Sequence, residues 1–362
     1  MMEEWKEVKL KDICEFKYGK NLPSDIRVEG KYPVFGSSGI ISYHKDYLLK
    51  GPGIIVGRKG TVGKVQYTKE NYFPIDTTYY IKEDKTKVDF KFLFYCLPMS
   101  GLDTMNSDAA VPGLNRTAAI NQKILLPPLP TQRKIASILS SYDDLIENNL
   151  QRIKLLEEMA QITYEEWFVR MKFPGHEDVE WDEETGLPEG WERKKIGKFL
   201  AKVKSTAKVK TSDVLDKGDI PVIDQSRDFI KGYTNDKDAF LNYNCPLIIF
   251  GDHTRILKFI NFPFARGADG TQVLLSKEKS MPQHLFYFSL MNVDLSNYHY
   301  ARHFKFLKEE EIIKPIEEVA LRFESLAKKN FEAIKKLRDQ NQRLKEARDI
   351  LLPRLMTGLI KV

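Results

Sequence analysis

Cysteine is scarce in this chain, and its few cysteines stand far from one another. Cys14, Cys96 and Cys245 are the only three, each among apolar neighbours. An odd number without close pairing argues against a disulfide framework and against a cysteine-based zinc site. We interpret all three as small buried hydrophobic residues.

Long apolar runs are also missing. No stretch approaches 18 consecutive apolar residues, so we expect no membrane-spanning helix and no membrane partner. The first residues lack the basic-then-apolar pattern of a signal peptide, which favours a cytoplasmic location. A chain of 362 residues, 42% hydrophobic and 30% charged, suits a globular protein of two domains plus connecting structure.

The net charge of +6 is small, but it is unevenly distributed. Segment 1–130 carries 19 Lys and Arg against 15 Asp and Glu, and segment 191–316 carries 21 against 15. Between them, 171–190 holds one Lys against seven acidic residues. Two basic regions separated by an acidic segment are compatible with a protein that contacts a polyanion twice.

The chain repeats itself, with matching segments offset by 186 to 194 residues. Five matches in the same order indicate an internal duplication. The matching segments are 5–10 and 191–196, 54–57 and 247–251, 73–75 and 262–264, 92–95 and 285–288, and 124–128 and 312–315. We expect the fourth pair to be short apolar core helices.

Each copy consists of a lobe followed by a long helix. The lobes contain short β-branched and aromatic runs bounded by turn residues, and the helices carry apolar residues in alternating steps of three and four, as in a coiled coil. The predicted divisions are a lobe at 1–128, a helix at 129–168, an acidic linker at 169–190, a lobe at 191–316, a helix at 317–352 and a tail at 353–362. The predicted fold class is α+β, with two similar α/β domains separated by two long helices.

Duplication also predicts the geometry of the helices. Two like lobes on two like helices are most simply related by a pseudo-twofold axis, which makes the helices antiparallel. Residues that face each other should then have numbers that add up to about 490. Under that rule Asn149 faces Asn341, as a pair that fixes the helix register. The expected apolar neighbours of this layer are the pairs Ile146 with Leu344, Ile153 with Leu337, and Leu156 with Ile334.

Four segments of the chain are distinctive, and their order and spacing make the combination specific. They are 126–136 (LPPLPTQRKIA), 187–191 (LPEGW), 249–255 (IFGDHTR) with 267–270 (GADG), and 347–358 (ARDILLPRLMTG). Through these segments the sequence resembles the specificity (S) subunits of type I restriction–modification systems across essentially its whole length.

The resemblance implies that each lobe is a target-recognition domain that reads one half of an asymmetric bipartite site in double-stranded DNA. The helices would set the spacer between the halves and dock two methyltransferase (modification) subunits, which two endonuclease/translocase (restriction) subunits join. S-adenosylmethionine, ATP and magnesium would bind only to those partners, so this chain would carry no cofactor and no catalytic residue.

Four clusters of residues suited to DNA contact stand on predicted loops. Arg, Lys, Asn and His side chains can reach base edges or phosphates. The candidates are Arg58, Lys59 and Lys64 in the Gly-rich turn 57–64, Asn115 and Arg116, the equivalent turn with His253 and Arg255, and Arg302, His303 and Lys305. Because the two turns differ, we expect the lobes to read different sequences.

Other interpretations of these residues are weaker. The turn 57–64 is one residue too long for a P-loop, and Val65 stands where Ser or Thr would hold magnesium. His299 and His303 have the spacing of a metal pair on a helix, yet no acidic or cysteine partner stands nearby, so we predict no metal site.

Two other functions remain as alternatives. The first, a single-chain restriction–methylation enzyme, lacks a visible catalytic core. The second is a coiled-coil adaptor that binds protein without sequence-specific DNA binding. Binding to mixed duplex DNA separates this adaptor from a recognition subunit.

Overall fold

The computed structural model describes residues 5–105, 113–268, 270–298 and 302–362. The chain divides into two compact units. The first comprises the described residues up to Asn148 together with Gln340–Val362, and the second is Asn149–Asp339. Each unit therefore contains one lobe and a part of each long helix.

The first unit is built on short strands that form three small sheets. Its strands are β1 (Lys6–Lys9), β2 (Cys14–Tyr18), β3 (Tyr32–Gly36), β4 (Gly39–His44), β5 (Gly53–Gly57), β6 (Val65–Thr68), β7 (Phe73–Pro74), β8 (Thr78–Glu83) and β9 (Lys123–Leu126). Its helices are α1 (Phe90–Cys96), α2 (Arg116–Ile120) and the beginning of α3 (Leu129–Tyr164). The sheets have the strand orders β1-β9, β2-β8-β5-β6 and β4-β3-β7, and β3 and β7 are parallel.

The main core of this unit lies between the four-stranded sheet, α1 and the long helices. Phe16 and Ile54 from the sheet and Phe92 from α1 are fully buried there. Leu139 from α3 and Leu355 join the same cluster. The 92–95 segment is thus a core helix, as its apolar sequence predicts.

The second unit repeats this plan with more strands. Its strands are β10 (Trp181–Asp182), β11 (Leu187–Pro188), β12 (Glu192–Lys195), β13 (Ile220–Ile223), β14 (Gly232–Thr234), β15 (Phe240–Leu241), β16 (Leu247–Gly251), β17 (Leu257–Ile260), β18 (Phe264–Arg266), β19 (Thr271–Leu274) and β20 (Glu311–Lys314). Its helices are α4 (Ile196–Phe199), α5 (Gln283–Met291), α6 (Phe304–Glu309) and most of α7 (Glu317–Met356).

The duplication is visible in the strand pairing. Strand β5 lies between β6 and β8, and β16 lies between β17 and β19, with antiparallel neighbours in both cases. Strand β3 pairs with antiparallel β4 and parallel β7, as β13 does with β14 and β18. Two similar α/β domains and two long helices confirm the predicted fold class.

The long helices pair antiparallel inside each unit. In the second unit, Ile153 and Leu156 pack with Ile334 and Leu337, as the sequence predicts. In the first unit, the Asn341 side-chain amide donates to the Ile146 carbonyl at 3.4 Å. Asn149 and Asn341 are both buried, at 4% and 5% exposure. Their mutual pairing and the pseudo-twofold axis stay predictions.

Several segment ends differ from the sequence-based bounds. Helix α3 closes with a wider, π-helical turn, Glu165–Val169, and α7 continues past 352 to Met356. The acidic segment 169–190 is folded onto the second unit, since Phe173 and Leu187 are buried in its core. Burial of aromatic and apolar side chains against the core stabilises this segment in a folded state, although most of its charged residues are acidic.

The cysteines are free thiols among the described residues, and one interpretation of them is wrong. Cys14 and Cys96 are buried, and burial raises the pKa of each to about 12. Cys245, however, is exposed. Along the described part of the chain, every helix is too short or too polar to cross a bilayer.

Candidate nucleic-acid interface

In the first domain, which is the lobe of the first unit, the two predicted clusters form one surface. These clusters are the turn 57–64 and the pair Asn115 and Arg116. The Leu114 amide donates to the Arg58 carbonyl at 2.8 Å, and Lys59 forms an isolated β-bridge with Gly113. The turn 57–64 is tight because a Cβ on Gly57 would lie 2.0 Å from the Thr61 carbonyl oxygen, which only glycine avoids. The turn 57–64 and the start of α2 therefore lie side by side.

Tyr18 stands at the centre of this surface, and the sequence pattern does not single it out. Its side chain is 51% exposed, and the guanidinium carbons of Arg58 and Arg116 lie 5.0 and 5.7 Å from its ring centroid. The Tyr79 ring packs 5.1 Å from it and donates its hydroxyl to the Leu114 carbonyl. Two cations on an exposed aromatic ring can contact phosphate and base together.

The other candidates of the first domain have different surroundings. Lys59 and Lys64 are exposed, and the Lys64 ammonium donates to the Ser38 carbonyl at 2.6 Å. Asn115 is the N-cap of α2, and its side-chain oxygen accepts from the Ala118 amide at 3.1 Å. Its oxygen therefore caps a helix, which its position before a short helix could have indicated.

The second domain joins its two clusters by the same kind of contact. The His303 amide donates to the Asp252 carbonyl at 2.8 Å, and the Phe304 amide donates to the Asp252 carboxylate at 2.7 Å. Asp252 thus fixes the start of α6 beside the turn that carries His253 and Arg255. His253, Arg255, Arg302 and Lys305 are exposed.

His303 is placed differently from the other candidates because it is only 4% exposed. Its Nε2 accepts from Arg255 Nε at 3.2 Å, and Arg255 also donates to the Tyr298 carbonyl at 3.4 Å. Burial, and next the positive charge of Arg255, lower the pKa of His303. A neutral His303 therefore holds the Arg255 side chain and does not present its own ring at the surface.

Arg255 has the backbone of a specialised turn. Its φ is 60°, in the left-handed region that non-glycine residues seldom adopt. The Arg255 amide donates to the Gly251 carbonyl at 2.8 Å, which closes the turn. In such a conformation the backbone of the turn sets the direction of the side chain. Here it places the Arg255 guanidinium group at the surface.

The described residues contain no group of three or more His, Cys, Asp or Glu side chains placed to hold a metal ion. His299, which has the sequence spacing of a metal pair with His303, lies outside the described residues. The clusters described above carry cations and amides. They offer the chemistry of DNA contact through hydrogen bonds and charge.

The known proteins that are similar to this chain are type I specificity subunits. A family model described as type I restriction modification DNA specificity domain matches residues 2–158. The MjaIX type I specificity subunit of Methanocaldococcus jannaschii is 25% identical, and the alignment covers 99% of this chain and 94% of that protein. Residues 2–158 thus match the specificity-domain family, and the chain is similar to type I specificity subunits along its whole length.

Other specificity subunits match parts of the chain. The EcoprrI specificity subunit of Escherichia coli is 26% identical over 42% of this chain and 39% of that protein. Among solved structures, the type I S subunit from M. genitalium has a TM-score of 0.60 at 17% identity, covering 98% of this chain and 96% of that one. This last likeness concerns the fold, and it spans both lobes.

Proposed function

We propose that this specificity subunit recognises DNA for a type I restriction–modification complex, and that each domain reads one half of an asymmetric bipartite site. The observation that carries this proposal is the convergence, in both domains, of a β-strand turn with the start of a short helix. In each domain the junction gathers exposed Arg, Lys or His side chains. Matching surfaces with different side chains suit the reading of two different half-sites.

The duplicated helices support a second role in assembly. Two methyltransferase subunits would dock on the frame that α3 and α7 provide, and two endonuclease/translocase subunits would join them. S-adenosylmethionine, ATP and magnesium would then bind to those partners. The subunit itself would supply recognition, and its own side chains would hold no reacting group.

Methylation mapping tests the proposal directly. The chain is co-expressed with its methyltransferase partner, and methylated adenines are mapped across the host genome. We expect one bipartite sequence with a fixed spacer. The subunit purified alone should neither methylate nor cleave DNA, with or without S-adenosylmethionine and magnesium. Turnover by the pure chain that one point substitution within it abolishes would contradict the non-catalytic role.

The adaptor alternative is tested in the same experiment. A protein-binding coiled-coil adaptor predicts that the co-expressed complex methylates without a bipartite preference, and that the chain does not alter DNA affinity. The two arginines around Tyr18, half-buried Arg58 and exposed Arg116, and exposed Arg255 have no role in such an adaptor.

A further inference from the structure

A second loop lies against the predicted recognition turn in each domain. In the first domain it is the two-residue turn Ser37 and Ser38 between β3 and β4. In the second domain it is the longer segment 224–231 between β13 and β14. Lys64 donates to the Ser38 carbonyl in one case. In the other, Gln225 Oε1 accepts from the His253 amide at 3.0 Å, and the Gln225 carbonyl accepts from the Thr254 hydroxyl at 2.8 Å.

Both loops are held by a side chain from the same position of the duplicated sheet. Gln66 pairs in register with Ile55, and its amide nitrogen donates to the carbonyls of Gly36 at 3.0 Å and Ser37 at 3.4 Å. Lys258 pairs in register with Ile249, on the equivalent strand. In both copies the residue at this position therefore donates hydrogen bonds to carbonyls of the neighbouring loop. Gln66 does so with its amide group and Lys258 with its ammonium group.

Within the longer segment, Lys258 holds loop 224–228 at both ends. Its ammonium donates to the carbonyls of Asp224 at 2.7 Å and Asp228 at 2.6 Å, and lies 3.8 Å from the Asp224 carboxylate. Lys258 is only 4% exposed, and burial lowers its pKa while the charge of Asp224 opposes that shift. A buried ammonium is costly, and an apolar side chain of similar volume is often as stabilising. The contribution specific to Lys258 is thus the loop conformation that its hydrogen bonds select.

Loop 224–228 has hydrogen bonds within itself and one exposed cationic side chain. The Ser226 amide and hydroxyl both donate to the Asp224 carboxylate, at 2.9 and 2.5 Å. Arg227 at the tip is exposed and has no hydrogen bond or ion pair to a described residue. Through Gln225, the loop adjoins the turn that carries His253 and Arg255. An arginine on a loop held by such hydrogen bonds can donate two hydrogen bonds to guanine in the major groove.

We propose that loop 224–228 is a second base-reading element of the second domain, in which Arg227 contacts a base and Lys258 is the positioning residue. This inference rests on the proposed function. The two-residue turn of the first domain has no arginine, so the β3–β4 and β13–β14 loops would contribute to the difference between the half-sites.

The first test replaces Arg227. The subunit carrying Arg227→Ala is co-expressed with the methyltransferase partner, and methylated sites are mapped. We expect the preference at one base of one half-site to fall about 5- to 100-fold, while the other half-site stays unchanged. Arg193→Ala, which removes another exposed arginine of this domain, is the matched control and should leave both halves unchanged. An unaltered motif, or an equal loss at all sites, would overturn base reading by Arg227.

The second test separates positioning from simple stability. Lys258→Met keeps most of the length of the side chain but removes all donors, and Lys258→Gln installs the group that Gln66 uses in the first domain. We expect Lys258→Met to relax the same half-site as Arg227→Ala, and Lys258→Gln to restore part of the preference. If both Lys258 variants fold and keep the wild-type motif, the positioning role is wrong. If Lys258→Met does not fold, the positioning role is tested by comparing the half-site preference of Lys258→Gln with that of Arg227→Ala.

The wild-type map distinguishes failure of this inference from failure of the proposed function. A wild-type complex without any bipartite motif would contradict recognition by this chain altogether. A clear wild-type motif that survives Arg227→Ala would leave recognition intact and reject loop 224–228 as a reading element.

Discussion

Arg255 is the residue whose surroundings most favour base contact. Its backbone turn, the His303 ring and the Tyr298 carbonyl all restrict its side chain. A restricted guanidinium loses less rotamer entropy when it binds, so it can discriminate among bases.

We therefore expect Arg255→Ala to cost about 1–3 kcal/mol at one position of one half-site. Methylation mapping of the variant complex measures this as a relaxed base. Replacing exposed Lys336 on α7 with Ala serves as the control. A motif that is unchanged at every position in Arg255→Ala would refute base reading by this residue.

The pKa of His303 gives a pH prediction. Because burial lowers the folded-state pKa below the unfolded value of about 6.5, the unfolded chain takes up this proton more readily than the folded chain. The second unit should therefore lose stability as the pH falls below about 6.5, and the loss continues down to the lower folded-state pKa.

His303→Gln keeps an acceptor for Arg255 but cannot titrate in this range. The drop in melting temperature between pH 7 and pH 5 should accordingly be smaller in His303→Gln than in the wild type, as measured by scanning calorimetry. All other titrating groups are the same in both proteins. Equal drops would show that His303 does not contribute to the pH dependence.

At the scale of elements, the first domain is fixed to the long helices by a polar contact. Asp143 on α3 accepts from the Tyr95 hydroxyl of α1 and from Arg348 of α7, both at 2.5 Å. Tyr95 is only 4% exposed, and burial together with Asp143 raises its pKa. An unpaired Tyr95 hydroxyl would therefore be costly.

Asp143→Ala should destabilise this junction by about 1–3 kcal/mol. Hydrogen exchange of the α1 amides in the intact chain measures the change. The neighbouring Asp144 pairs with Lys69 at 3.0 Å, but both side chains are more than half exposed, so Asp144→Ala should cost about 0.5 kcal/mol or less. Equal effects of the two variants would contradict the special role of Asp143.

The long helices lead to a prediction about the spacer. Four residues are inserted between Asn149 and Leu150, and four between Gln340 and Asn341, which lengthens both helices at the same predicted layer. Each insertion adds about 6 Å and roughly one helical turn, so the apolar seam stays nearly in phase. If the helices set the spacer, the methylated site keeps both half-sequences and gains one or two base pairs between them.

The control insertion places four residues beside Gly186, in the exposed turn between β10 and β11. It should leave the spacer unchanged. An active complex with lengthened helices and the original spacer would show that the helices are not the ruler.

At the scale of the whole molecule, the duplication predicts exchangeable recognition domains. Helix α3 begins at Leu129, directly after the first domain, so residues 1–128 can be replaced with those of a relative that reads another sequence. We expect the graft to change one half of the methylated site and to preserve the other half and the spacer. Mapping that finds both halves altered would contradict independent reading by the two domains.

The sequence by itself determined the plan of this protein. Repeated apolar segments identified two similar domains, and the spacing of Ile153, Leu156, Ile334 and Leu337 identified which helix residues pack together. Such patterns are readable because burial of apolar side chains follows the period of each element. The basic turns around Arg58 and Arg255 were also readable, because glycine and charged residues stand together in the sequence.

Only the tertiary structure decided which side chains form each surface. Tyr18, Asp252, Gln66 and Lys258 have no distinctive local pattern, because their roles depend on partners that lie far away in sequence. Lys258 is an ordinary basic residue in the sequence, and the fold makes it a buried clamp for loop 224–228. From the sequence, His303 is predicted to contact DNA at the surface. In the fold it is buried and accepts a hydrogen bond from Arg255. Hydrogen bonds between distant loops depend on how strands and turns are brought together, and local sequence does not encode that arrangement.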